Sequence, residues 1–574
     1  LTGIFTNAGT GTVLLNTGFV NCEGYDFNGN FHMGLTLNFA ANIFQWTGGG
    51  FENASLTNDG FMNLTNGLEL NGTYFYNSST VNMDNNCIIT NDGNILNNIG
   101  ATFKMGTNTS VLGGESTFFN YGLLQISAGA GLAQITSFFA NYDTTVEMDS
   151  GTLAFNKSAG NYFSNSTFLV QSGAQLDLSV ATGTFTNQIL EIEGALTGSG
   201  GGTVLINSGT VYSEDQATLS FPGSMFQWQG GALGGESSFL TNLGTINISG
   251  PVGLANIANS GAMIQSGAGS IVGDLGILNN NVGGVYDIQN DNGVTPYTIN
   301  NYGLFEKTGG TNTSVVAASY FYNYGPIQAA SGTLSFTGED FFQEGGTLQI
   351  TPAITFGPST LFYLYGGTVT GLGLLGGNGN NSLVETVGGV LMPGNPFGTL
   401  TAPGGSGIDM ESGAAFTVML GGPGLFSQLA VSNAASLGGT LHVGLANGYT
   451  PAPGTQFQIL SCASLSGVFS ATNVPPGISV NYSNNGVFLM VNSPAPVQIN
   501  NPRLTTTNVN STLATNFTFV FGTQSNQLYT IQQNTNLATT NWTFYTNITG
   551  NGSIFQFFTP FTNIPELFFR VVEP

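Results

Sequence analysis

The sequence predicts an all-β chain: a right-handed parallel β-solenoid (β-helix) carrying a C-terminal β-sandwich-like domain. Three observations lead there. A short motif returns about every twenty residues, a longer unit returns at a fixed offset, and the composition joins 6% charged residues to 41% hydrophobic ones, with 85 Gly and 44 Phe in 574 positions. A chain this long exceeds one ordinary core and needs several domains or a quasi-one-dimensional stack of repeats. Charge is far below the usual level, yet the apolar content separates the chain from disordered sequence.

The short motif reads apolar-x-Asn-x-Gly followed by alternating apolar residues. Its Asn and Gly fall at Asn58 and Gly60, Asn120 and Gly122, Asn242 and Gly244, Asn301 and Gly303, and Asn323 and Gly325. Asn120 to Asn141 is 21 residues and Asn301 to Asn323 is 22, the length of one solenoid coil. Each coil is expected to pair a few short strands with those above and below. Asn and Gly are expected to turn the corners because they tolerate the left-handed backbone. Apolar residues alternate inward and stack on like residues at about 4.8 Å.

The longer unit appears when Phe44-Gln45-Trp46 returns as Phe226-Gln227-Trp228, a shift of 226 − 44 = 182. Asn120-Tyr121-Gly122-Leu123 returns at Asn301 and Ser150-Gly151-Thr152-Leu153 at Ser331, both shifted by 181. Two tandem modules are therefore expected over 1–195 and 196–368, each of about eight coils, together a rod of roughly 80 Å. Between the copies Lys157 falls opposite Gly338 and Lys307 opposite Ile126, so the rare cations stand outside the repeat design.

From 369 to 495 the character changes. A turn-rich stretch, Leu391-Met392-Pro393-Gly394-Asn395-Pro396-Phe397-Gly398-Thr399-Leu400, leads to Leu437-Gly438-Gly439-Thr440-Leu441, Gly448-Tyr449-Thr450-Pro451 and Phe457-Gln458-Ile459-Leu460. This order resembles the distal part of autotransporter-like passenger proteins and related large secreted bacterial proteins. The resemblance implies a segment that ends or caps a β-solenoid on a secreted, cell-surface protein. No terminal membrane barrel follows in this sequence, so self-export is not implied.

After Pro494-Ala495-Pro496, residues 496–574 read as a separate small β-sandwich. Its expected strands are Phe517 to Phe521, Leu528 to Gln532, Ile554 to Phe558 and Leu567 to Val571. The run through Tyr529-Thr530-Ile531-Gln532, Asn541-Trp542-Thr543 and Phe568-Phe569-Arg570-Val571 resembles a small C-terminal module of secreted proteins from environmental bacteria. Sorting, anchoring and subunit contact are the roles that resemblance allows.

The net charge of −24 comes from 29 acidic residues against five basic ones. No basic stripe exists to neutralise phosphates, which argues against nucleic acid and anionic membrane surfaces. No apolar run is long enough to span a bilayer. Leu1 begins in repeat-like sequence without a leader pattern, so the chain is read as a mature or truncated product. Cys22, Cys87 and Cys462 have no metal-ligand spacing and are read as small buried hydrophobes rather than a disulfide.

No catalytic, cofactor or metal site is expected. Glu115 and Glu236 share the phrase Gly-Gly-Glu-Ser but lie 121 residues apart and are read as corner carboxylates bonded to backbone. Glu191 with Glu193, and Asp409 with Glu411, could line a groove but are read as solvated faces. His32 and His442 have no partners for metal or nucleophile chemistry. Acidic charge leaves Ca²⁺ open, although the Gly-Gly-x-Gly-x-Asp nonapeptide is absent. Sequons such as Asn53, Asn71, Asn165, Asn247, Asn312 and Asn541 are expected by chance where Asn and Thr abound.

The expected function is structural: a non-enzymatic, extracellular subunit of a filament, sheath or surface layer, self-associating through solenoid ends and the C-terminal module. The alternatives are a monomeric adhesin or carbohydrate-binding stalk that holds surface polysaccharide, and, more distantly, a polysaccharide lyase or hydrolase. Exposed aromatic rows beside acids would favour the stalk. Three carboxylates in one groove would favour the enzyme.

Overall fold

The computed structural model describes the chain except residues 1–2, 7–8, 22–33, 114–115, 156–159, 181–188, 214, 236, 274, 381, 404, 406, 447, 493–496, 510–511, 562–565 and 574. No helix occurs among the described residues, and none is long and apolar enough to cross a membrane. Two compact units form. The first comprises Leu1–Tyr449, Gln458–Asn473 and Tyr482–Val487, and the second Thr450–Phe457, Val474–Asn481 and Phe488–Pro574.

The first unit contains the parallel β-solenoid, of about 18 turns. Each coil gives one short strand to each of three stacks. Face I starts Gly3–Thr6, Leu35–Asn38, Ser55–Asn58, Tyr74–Asn77. Face II starts Val13–Leu15, Phe44–Trp46, Phe61–Leu64, Thr80–Met83. Face III starts Phe19–Asn21, Gly50–Glu52, Gly67–Asn71, Ile88–Asn91. Side chains alternate as the two-residue period of a strand requires. In Tyr320–Asn323 the buried residues are Phe321 and Asn323, with Tyr320 and Tyr322 outward. Phe321, Phe341 and Phe362 lie in register and stack inside at 5.1 and 5.3 Å between centroids.

The motif asparagines do not turn corners in the left-handed conformation. None of Asn58, Asn120, Asn242, Asn301 and Asn323 has a positive φ. Each closes a strand with its side chain buried, at most 1% exposed. Their amides form two ladders along the solenoid. In the first, Nδ2 of Asn58, Asn77, Asn97 and Asn120 donates to Oδ1 of Asn77, Asn97, Asn120 and Asn141 at 2.6 to 2.8 Å. In the second, Asn242, Asn259, Asn280 and Asn301 donate to Asn259, Asn280, Asn301 and Asn323 at 2.8 to 2.9 Å, and Asn323 donates to Gln343 at 2.8 Å. The second N–H of several amides bonds a carbonyl of the next coil, as Asn280 does with Leu304 O at 2.9 Å. Asparagine is therefore selected by burial of a fully used amide.

The motif glycines also lack positive φ. Close approach explains them. A Cβ on Gly60, Gly122, Gly244, Gly303 or Gly325 would lie 2.2 to 2.4 Å from backbone oxygen of the preceding coil. The left-handed corners lie elsewhere, for example at Asn42, Asn66, Asn86 and Asn108.

The sequence repeat and the coil are out of step. Eight pairing steps along face II lead from Phe44–Trp46 to Ala217–Ser220, and Phe226–Trp228 is the following strand, on face III. The asparagines obey the same offset: the first ladder lies on face I and the second on face II. Residues 195 and 196 fall inside one strand, Ile189–Ser199, which bridges faces I and II. Parallel stacking also continues past 368: face II runs on through Val384–Thr386, Ile408–Met410, Ala434–Leu437 and Ser464–Gly467.

Lys307 points inward, in register with Ile288, and is fully buried. Its ammonium donates to the carbonyls of Asn290 and Gly309 and to Asp291 Oδ1 at 3.0 Å. Asp291 also accepts from the backbone and side chain of Asn312. The Lys307 bond comes first among the causes that hold the Asp291 carboxyl below its ordinary pKa. This cation is fully used inside the coil.

Within the second unit two three-stranded antiparallel sheets form, Asn500–Val509, Thr512–Gly522, Ile554–Pro560 and Thr543–Thr549, Leu528–Asn534, Phe568–Val572. Phe519, Phe521 and Phe557 of one sheet share a core with Tyr529 and Ile531 of the other, as in a sandwich. Arg570 lies 4.6 Å from the Trp542 ring and donates to Gln532 at 2.8 Å.

Two substitutions test these assignments. Asn280→Ala removes a buried amide and strands polar groups of Asn259 and Asn301, so the urea unfolding free energy should fall by about 2–4 kcal/mol. An unchanged midpoint would show that the ladder contributes nothing. Gly303→Ala should destabilise by at least ~2 kcal/mol, because backbone rather than a flexible side chain meets the new Cβ. Gly67→Ala, with open space around it, is the control and should stay within about 0.5 kcal/mol.

Candidate functional site

The outward rows carry the features that could meet a ligand. On face II, Asn300, Tyr322, Phe342, Tyr363, Glu385 and Asp409 follow one another in register across successive coils. Tyr322 and Phe342 stack at 4.6 Å, and Phe342 and Tyr363 at 5.1 Å. Beside this row Tyr302 and Tyr324 stack at 4.4 Å, and Tyr365 lies 6.0 Å from Tyr363. Tyr297 and Tyr320 meet edge to face at 5.4 Å.

The strip ends on carboxylates. Glu385 is in register with Asp409, and Glu411 lies on the same strip one residue past the Ile408–Met410 strand. Burial, then the charges of Glu411 and Asp409, push the Glu385 carboxyl above its ordinary range. Burial first and the surrounding acids second raise the phenols of Tyr363 and Tyr365. Burial and Glu339 likewise raise Asp340.

The first repeat builds a related strip on face I. Tyr121 and Tyr142 stack at 5.2 Å, and Tyr142 and Tyr162 are 5.2 Å apart. Tyr162 is in register with Glu191, which is in register with Tyr212, and the Tyr162 hydroxyl donates to Glu193. In both strips stacked tyrosines precede the acids along the chain, and in the first Tyr212 follows them.

The structure therefore brings Glu191 and Glu193 to one aromatic strip and Asp409 and Glu411 to the other. Glu115, Glu236, His32, Cys22 and Lys157 lie outside the described residues. His442 is half-buried in Thr440–Leu445, in register with Thr417 and Asn473. Cys87 and Cys462 are free thiols, with Cys87 pushed up to about 12 by burial and by Asp84. Among the described residues no three His, Cys, Asp or Glu are placed to hold a metal ion. The ten motif residues form the interior ladders and close-contact corners described above.

The strip was the feature that sequence reasoning missed. Its signal lies in Tyr320-Phe321-Tyr322-Asn323-Tyr324: once Phe321 and Asn323 are inward, the three tyrosines must be outward. The chain matches no protein-family model, and no curated protein is significantly similar to it.

The raised Glu385 carboxyl gives a pH test. Its folded value lies above its unfolded one, so it favours the native state at acidic pH, and that contribution is lost as pH rises through the folded value. Glu385→Gln should therefore gain stability over the wild type as pH climbs from the ordinary glutamate range toward neutrality. A wild-type to variant difference in urea midpoint that ignores pH would disprove the shift.

Proposed function

We propose that the protein is a non-catalytic, extracellular polysaccharide-binding stalk, with the β-solenoid holding the aromatic and acidic strips in fixed register. The observation that carries this reading is the face II row from Tyr322 to Asp409, where outward aromatics on consecutive coils adjoin carboxylates. Carboxylates accept hydrogen bonds from sugar hydroxyls, and tyrosine hydroxyls donate and accept them. Such a row suits a ligand that itself repeats. The extracellular setting rests on the resemblance to secreted solenoid proteins.

The three carboxylates Glu385, Asp409 and Glu411 support a second reading, a polysaccharide hydrolase.

One preparation separates the readings. Affinity electrophoresis in gels cast with soluble polysaccharides should retard the full chain, and the double variant Tyr322→Ala, Tyr363→Ala should weaken retardation about tenfold or more, a loss of ~1.4 kcal/mol. No retardation in any gel would end the stalk reading. Release of reducing ends, abolished by Asp409→Asn, would establish the hydrolase. Regular fibres under negative stain, without polysaccharide binding, would restore the filament subunit expected from the sequence.

A further inference from the structure

The face II strip adjoins a groove of about 430 Å³, lined by Ser319, Thr337, Glu339, Asp340, Ser359 and Leu361 among others. Its base is held down by main chain: a Cβ on Gly338 would lie 1.6 Å from the carbonyl oxygen of Ala318. Tyr320 is in register with Asp340, and Asp340 with Leu361, so the groove and the Tyr297 and Tyr320 pair share one stretch of surface. Tyr297 and Tyr320 pack edge to face there, unlike the stacked tyrosines further along. Hydroxyls, two carboxylates and aromatic side chains beside them are groups that bind a pyranose.

The charges around the groove select among sugars. Glu339 and Asp340 lie in it, and Glu344, Glu385, Asp409 and Glu411 extend the negative field along the strip. The cation of this repeat, Lys307, is buried with its ammonium bound by Asn290, Asp291 and Gly309. Lys104 lies in the first repeat, on Thr102–Met105, and Arg503 and Arg570 lie in the second unit. A uronate in the groove would set its carboxylate against those of Glu339 and Asp340. An amino sugar would gain charge-assisted hydrogen bonds there.

Building on the polysaccharide-binding reading, we infer that the groove beside Tyr320 is a saccharide subsite selective for neutral or amine-bearing glycans over acidic ones. Selectivity comes from Glu339 and Asp340, and affinity from the tyrosine pair and the groove hydroxyls.

The test compares the full chain on three ligands by titration calorimetry: cellohexaose, a chitosan oligosaccharide and an oligogalacturonate. The first two should bind, with the oligogalacturonate at least about tenfold weaker at low salt. High salt should narrow that gap, as should the double variant Glu339→Gln, Asp340→Asn. Tyr320→Ala should weaken the two favoured ligands about tenfold or more. Oligogalacturonate binding as tight as the others would overturn the selectivity and leave the stalk reading standing. Unchanged affinity in Tyr320→Ala, with Tyr322→Ala still weakened, would remove the groove but keep the strip. No binding of any of the three by the wild type would remove both.

Discussion

The spacing between coils governs this molecule. Parallel strands stack at about 4.8 Å, so every residue meets its counterpart one coil away at nearly fixed distance. An asparagine amide spans that interval with a hydrogen bond of 2.6 to 2.9 Å and repeats without change from coil to coil. Aromatic rings span it by stacking, inside at Phe321, Phe341 and Phe362 and outside at Tyr322, Phe342 and Tyr363. A like charge cannot, because each copy would face another across the rung. The low charge content follows from the same spacing. Where acids do succeed one another, at Glu385 and Asp409, burial first and then the charges of Glu411 and Asp409 push the Glu385 carboxyl up.

The offset between sequence repeat and coil has a consequence for display. A unit that matched a whole number of coils would place both aromatic strips in one line along one face. Here the repeat is eight coils and one strand, so the first strip lies on face I and the second on face II. The same interior pattern therefore tolerates a change of face, since each face supplies strands with the same inward alternation. Long strands that turn a corner without a loop, such as Leu123–Ile135 and Thr145–Phe155, show how little separates neighbouring faces.

The period, the parallel stack and the Asn and Gly rows were legible in the sequence because each coil repeats them. The reason for those residues was not. Asn58 and Gly60 fit a left-handed corner as well as a buried amide and a close approach, and the sequence alone cannot separate these causes. The face offset was hidden because strands such as Ile189–Ser199 turn a corner inside one continuous strand, at Gly194 with φ 65°, so counting turns does not count faces. Within the C-terminal sandwich the aromatic strands were evident. Asn500–Val509 and Thr543–Thr549 were missed because their Thr and Asn resemble linker sequence. Lys307 was set outside the repeat design by its alignment with Ile126, yet it is buried, and its partners come from corner residues that no periodicity marks.

What the strip offers a ligand depends on how its rings are used. In the stacked runs, Tyr302 on Tyr324 and Tyr322 on Phe342 on Tyr363, neighbouring rings cover each other's faces at 4.4 to 5.1 Å. Those rungs present edges and hydroxyl groups. An apolar partner would gain little from them, whereas a hydroxylated one would find donors and acceptors at each coil. Because strand pairing holds every rung in place, a repeating polar ligand meets a surface already ordered and loses less on binding than it would against mobile loops. On the proposed reading the Tyr297 and Tyr320 pair, packed edge to face beside the groove, adds an aromatic contact to these rungs. On that reading the groove anchors the polymer, and the remaining rungs form a register along which it would extend.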